Sequence, residues 1–111
     1  EDALHGPHVT RPGAPCVDAP LGNGYLLDRL AGCFTLLSLG GEAPVVAEFG
    51  GVEVRGLHVA DPSPELAARY LGEAHQALYL IRPDQHVVAR WPSFDADAIA
   101  TALFRAIGKV A

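Results

Sequence analysis

The sequence predicts an α/β fold: a four-stranded mixed sheet with helices on both faces. Three observations predict it. Residues 33–39, CFTLLSL, are apolar on both alternating faces, as in a central strand covered on two sides. Two apolar runs, ALYLI and HVVARW, flank the turn Arg82-Pro83-Asp84-Gln85 and read as an antiparallel hairpin. Two helix starts, at Ser63-Pro64 and at Asp95, each precede an apolar stripe of helical period.

The elements follow in chain order. Residues 1–20 carry four prolines, which prevent a helix and disfavour a central strand. They read as a linker that becomes an extended arm, with the domain proper over 21–111. Leu21-Gly22-Asn23-Gly24 is a turn, Tyr25 to Leu30 a short strand, and Ala31-Gly32 a second turn. After the central strand, Gly40-Gly41 breaks the chain. Pro44 opens a short helix with Val45, Val46 and Phe49 on its apolar face, and Gly50-Gly51 stops it. In VEVRGLHV, residues 52–59, Val52 and Val54 share one face while Leu57 and Val59 fall on the other. A bulge or bend at Gly56 would reconcile the two halves.

Ser63 then caps a helix whose stripe is Leu66, Ala67, Tyr70 and Leu71, and Gly72 ends it. The hairpin of Ala77 to Ile81 and His86 to Trp91 follows. Asp95 caps the last helix, Asp97 favours its positive end, Phe94 can staple onto Ile99, and Ile99, Leu103, Ala106 and Ile107 form its buried face. From residue 33 the order is strand, helix, strand, helix, strand, strand, helix. The first unit should cross over to a parallel strand and the last two strands should pair antiparallel. That layout is the thioredoxin core.

Composition narrows the functions open to such a fold. The chain has 111 residues, half of them apolar and 19% charged, which fits one globular domain. The formal net charge is -5, the only lysine is Lys109, and the arginines are scattered, so a nucleic-acid partner is not expected. No apolar run approaches the roughly 20 residues of a membrane span, and EDALHGPHVT has no signal-peptide pattern. A cytoplasmic protein with Cys16 and Cys33 reduced is expected, although spacing leaves a Cys16–Cys33 bond open. The absence of methionine, even at position 1, points to a piece of a longer chain.

A redox thioredoxin carries CxxC at the start of the helix after its first core strand, where the helix dipole lowers a thiol pKa. Here that stretch is Leu39-Gly40-Gly41-Glu42-Ala43-Pro44. The cis-proline usually found before the third core strand is also missing from Glu73-Ala74-His75-Gln76. Disulfide exchange is therefore not expected. No metal site is expected either. His5 and His8 lie in the arm, and His58, His75 and His86 come from separate elements without a carboxylate at ligand spacing. Gly22-Asn23-Gly24 lacks the strand, helix and third glycine of a dinucleotide-binding loop. No catalytic and no cofactor-binding residue is assigned.

Two segments carry more than a fold. RPDQHVVARW, residues 82–91, resembles the turn and strand near the end of flavoprotein aromatic hydroxylases, the phenol 2-monooxygenase and 3-(3-hydroxyphenyl)propionate hydroxylase family. Many relatives carry glycine at the Gln85 position. DRLAGCFTLL, residues 28–37, resembles the strand–Gly–strand opening of the same domain. With the Arg11–Pro15 arm and the last helix, the likeness covers about residues 11 to 108.

The resemblance implies a C-terminal thioredoxin-like domain of an enzyme that uses FAD and NAD(P)H to hydroxylate phenolic rings. All FAD-contacting motifs lie upstream in that family, so the implied role here is structural: packing on the FAD and substrate domains and supporting a homodimer. An exposed edge strand bearing Arg90 and Trp91, together with Arg82, Pro83 and Asp84, or else the proline-rich arm, is the candidate interface. The opposite outcome, local pairing of Arg82 and Arg90 with carboxylates and Trp91 capping the core, stands equally open. Two other functions compete: a free-standing thiol redox protein, and a binding module with its own cleft.

Overall fold

The computed structural model describes residues 2–30, 32–41, 48–49 and 51–108. Alternating burial on two sheet faces organises it. In chain order the strands are β1 (Pro20–Leu21), β2 (Gly24–Tyr25), β3 (Phe34–Leu39), β4 (Glu48–Phe49), β5 (Val52–Val59), β6 (Ala77–Ile81) and β7 (Val87–Trp91). The helices are α1 (Pro64–Tyr70), between β5 and β6, and α2 (Ala96–Ala106), after β7. The main sheet has the order β4-β5-β3-β6-β7. β3 pairs parallel with β5 and antiparallel with β6, and β6 pairs antiparallel with β7. The mixed four-stranded core is thus as expected, with two residues of β4 added at one edge.

β3 lies in the middle and is buried on both faces. Leu37 and Leu39 join Tyr79 and Ile81 under Leu66 and Tyr70 of α1. Leu36 joins Val54, Leu80 and Trp91 under Ile99 and Leu103 of α2. One helix therefore covers each face, and a period of two in the strands sends alternate residues to different helices. Ser63 Oγ accepts the Leu66 N–H at 3.2 Å with Pro64 in the first turn. Asp95 Oδ1 accepts the Ala98 N–H at 3.1 Å. Gly72, at φ 60°, closes α1 by donating its N–H to Ala67 O.

Five expectations are corrected. Leu26–Arg29 is a short 3-10 helix, so the Tyr25 to Leu30 strand ends after Tyr25. Leu26 and Leu30 are both buried, a spacing that suits a helical turn better than a strand. The predicted helix from Pro44 lies largely outside the described residues, but its last part, Glu48–Phe49, is a strand paired with Val52 and Glu53. Gly56 needs no bulge: β5 keeps continuous register with β3 from Val54 to Val59. Both faces of β5 are covered, so Val54 packs toward α2 and Leu57 and Val59 toward α1. The register shift lies instead between Leu80 and Ile81. In α2 the buried face is Ile99, Ala102 and Leu103, while Ala106 and Ile107 at its end are exposed. Phe94 is also exposed, at 44%.

Candidate functional site

β7 is the outer strand of the sheet, and its outer edge is occupied by the chain's own N-terminal segment. Ala3 N donates to Arg90 O at 3.1 Å, Gly13 N to Val87 O at 2.7 Å, Val87 N to Ala14 O at 2.9 Å and Cys16 N to Gln85 O at 2.8 Å. The segment has a 3-10 turn at His8–Thr10 and sends Ala14, Cys16 and Ala19 into the interior. The expected exposed edge is therefore closed. Unpaired strand groups would otherwise have to face water, and an extended proline-rich segment can supply partners at a few positions.

Arg90 is the anchor of this contact and is only 2% exposed. Its Nε and Nη2 donate to the two Asp2 carboxylate oxygens at 2.7 and 2.8 Å. Nη1 donates to Pro7 O at 2.6 Å, and Nη2 also donates to Gly6 O at 3.2 Å. A guanidinium's planar fork suits such a set, and a buried cation requires one. Hydrogen bonding by Arg90 holds the Asp2 carboxyl below its usual range, against the opposing effect of burial.

Beside Arg90, Tyr79 and Tyr70 meet edge to face at 5.0 Å. Tyr79 donates to Tyr70 O at 2.6 Å and shares a 2.9 Å contact with Thr10 Oγ1; Tyr70 donates to Val17 O at 2.6 Å. Burial pushes both phenols up. This polar cluster fastens the arm to β6, β7 and α1. The sequence named Arg90 but missed Asp2, Thr10, Tyr70 and Tyr79. The available signal was physical: an arginine in an apolar strand needs a carboxylate if it is buried.

The other signature residues separate from Arg90. Trp91 is 3% exposed and faces the opposite side of the sheet, in the α2 cluster. Arg82, Pro83 and Asp84 are exposed at the hairpin turn. Arg82 holds Asp84 with two hydrogen bonds, at 3.0 and 2.6 Å, and this lowers the Asp84 carboxyl to about 2. Gln85 completes the turn at φ 64°, a conformation that favours glycine. Its side chain donates to Leu27 O at 2.9 Å.

The two thiols form no disulfide. Cys16 is buried, Cys33 is half-buried, and both are free. Burial pushes the Cys16 thiol up to about 11, so it is protonated at neutral pH. Just after β3, Gly40 lies so close to the segment leading into β6 that a Cβ there would come 2.6 Å from His75 O. No group of three or more His, Cys, Asp or Glu side chains is placed to hold a metal among the described residues. A groove of about 270 Å³ runs between β7 and α2, with Val87, Val88 and Ala102 along it and Arg82 and Arg105 at its rim. A second depression, of about 570 Å³, lies between the arm and the end of α1, lined by Leu4, Pro7, Ala68, Leu71 and Gly72; small-molecule sites commonly enclose ~300–1,000 Å³. No helix is long and apolar enough to cross a membrane among the described residues.

No protein-family model and no curated protein matches the chain. Solved structures do. The substrate-free rebeccamycin biosynthetic enzyme RebC is 26% identical, with a TM-score of 0.64 over 91% of this chain. The chain resembles one part of RebC. It spans only 20% of that enzyme's length. RebC-10x soaked with chromopyrrolic acid, with bound 7-carboxy-K252c, matches 95% of this chain at 25% identity and a TM-score of 0.62. Aklavinone-11 hydroxylase, in a ternary complex with FAD and aklavinone, shares the fold at 23% identity and a TM-score of 0.58. The chain spans 22% of that hydroxylase.

Proposed function

We propose that this chain is the thioredoxin-like, non-catalytic C-terminal module of an FAD- and NAD(P)H-dependent aromatic hydroxylase. The observation that carries this reading is the likeness to RebC: 91% of this chain aligns with 20% of a much longer enzyme. The RPDQHVVARW resemblance points the same way. Gly40-Gly41, the unbonded thiols and the protonated Cys16 weigh against thiol exchange. In this reading FAD, NAD(P)H and the aromatic substrate belong to upstream domains, and the module packs on them and supports a homodimer. The proline-rich first twenty residues join the module to the catalytic part. Arg82, Pro83 and Asp84 form its outward contact, while Arg90 and Trp91 brace the hairpin from within.

The test is to express residues 1–111 alone and together with the region encoded upstream. The longer protein should bind FAD stoichiometrically and consume NAD(P)H with a phenolic substrate, and the isolated chain should do neither. Stoichiometric flavin on the isolated chain, or an upstream region without flavin binding, would overturn the proposal.

A further inference from the structure

We infer that the groove between β7 and α2 binds a small aliphatic carboxylate, its chain against Val88, Ala102 and Ala106 and its carboxylate at Arg82 and Arg105. The inference goes beyond the proposed function, and its test needs no flavin. The groove follows from one irregularity in the sheet. Opposite Leu80 and Ile81, β7 places Ala89 and Val87, so Val88 is an extra residue in that strand. Such a bulge breaks the alternation of side chains and re-aims one of them. Val87 buries toward α1, whereas Val88 and Ala89 both turn toward α2. Ala102 and Ala106 stand one helical turn apart on the α2 wall of the groove. Their side chains are single methyl groups, and about 270 Å³ stays open between the two elements.

Charge selects the ligand. No Asp or Glu lines the groove, Asp84 included; its charged side chains are Arg82 and Arg105, in a chain of net charge -5. The Arg105 guanidinium has no hydrogen-bond or ion-pair partner among the described residues. Arg82 gives Nε and Nη2 to Asp84, which fixes its position and leaves Nη1 as a donor. Methyl-lined walls below a guanidinium rim complement an aliphatic chain that ends in a carboxylate. A neutral hydrocarbon would leave the rim unused, and a bare inorganic anion would leave the walls unused. The volume lies just below that of drug-sized sites, so the ligand is short. The larger depression at the end of α1 makes no such selection by sign, because both Glu73 and His5 line it.

The experiment titrates the whole 111-residue chain with sodium hexanoate and follows backbone amide shifts by NMR. Saturable shifts should appear at Gly13, Val88, Ala102 and Ala106, with a Kd on the order of millimolar for so few ligand atoms. Hexan-1-ol, which keeps the chain without the charge, should bind about fivefold more weakly, and so should acetate, which keeps the charge without the chain. Arg105→Gln, at an exposed position, should weaken hexanoate about fivefold and leave hexan-1-ol unchanged. Ala106→Phe, also at an exposed position, fills the groove and should abolish both. Arg29→Gln, at an exposed arginine outside the groove, should change neither. Shifts that do not saturate at the groove overturn the inference. So does equal affinity for hexanoate and hexan-1-ol, or a preference for the carboxylate that survives Arg105→Gln.

Discussion

Replacing Asp2 with alanine removes both carboxylate hydrogen bonds to Arg90, at 2.7 and 2.8 Å, and the 2.8 Å bond to the His5 N–H. Breaking a fully buried ion pair costs about 3–5 kcal/mol, and an exposed pair contributes about 0–1 kcal/mol. This pair lies between those limits. The Arg90 side chain is 2% exposed but that of Asp2 is 31% exposed, so water screens one end. Arg90 also keeps the Pro7 and Gly6 carbonyls in the variant. A loss of about 1.5 kcal/mol at neutral pH follows, or roughly 6 °C in Tm for a domain of this size.

The pH dependence is the sharper test. The folded-state pKa of Asp2 lies below its ordinary value of 3.8. A depressed carboxylate pKa contributes stability above the unfolded value, and that stability is lost as pH falls through the folded value. Urea titrations followed by circular dichroism should therefore show a constant gap between wild type and Asp2→Ala from neutral pH down to mildly acidic pH. The gap should then close as Asp2 protonates. Asp84→Ala, which removes a solvent-exposed partner of Arg82, is the control and should leave the transition midpoint nearly unmoved. A gap independent of pH, or no gap at neutral pH, would refute the assignment of Asp2 as the counter-charge of a buried arginine.

Two further perturbations probe the thiols and the tight turn after β3. Ellman's reagent should titrate Cys33 in the folded chain and both thiols only after denaturation, because Cys16 is buried and protonated; rapid reaction of both would contradict the packing of the arm. Gly40→Ala should destabilise by roughly 1–2 kcal/mol from its left-handed backbone alone, since φ is 67°, with more from the 2.6 Å approach to His75 O. Equal urea midpoints for this variant and wild type would show that the β3 end has room to move.

The fold was legible wherever a local rule and a tertiary demand coincided. Ser63-Pro64 and Asp95 cap helices in the structure as their types require, and CFTLLSL is the two-faced strand its apolar pattern describes. The misread segments are those in which tertiary context overrides short patterns. Four residues after Tyr25 coil because Leu26 and Leu30 must both turn inward. Glu48–Phe49 is a two-residue strand, too short to leave a period. Gly56 looked like a phase change because a strand covered on two faces can bury either parity. In the candidate site, Arg82 and Asp84 were readable because their pairing is local. The Asp2–Arg90 pair was not, because sequence carries no distance across 88 positions.

That long-range pair also changes what the outer surface can be. One helix covers each sheet face, and the arm closes the β7 edge. A partner that approaches the closed edge therefore meets side chains more than free strand groups on this side. Among the described residues, the exposed large apolar ones, Val9, Tyr25, Phe94 and Ile107, come from the arm, the small β1–β2 sheet and the two ends of α2. Aromatic residues and arginine are favoured in interface cores. The hairpin turn adds Arg82 and Asp84, already tied to each other. A rigid paired turn presents its charges at low entropic cost, whereas a free edge would accept almost any extended chain. By covering β7 with its own arm, the chain exchanges an indiscriminate strand edge for a contact that depends on one carboxylate meeting one buried guanidinium.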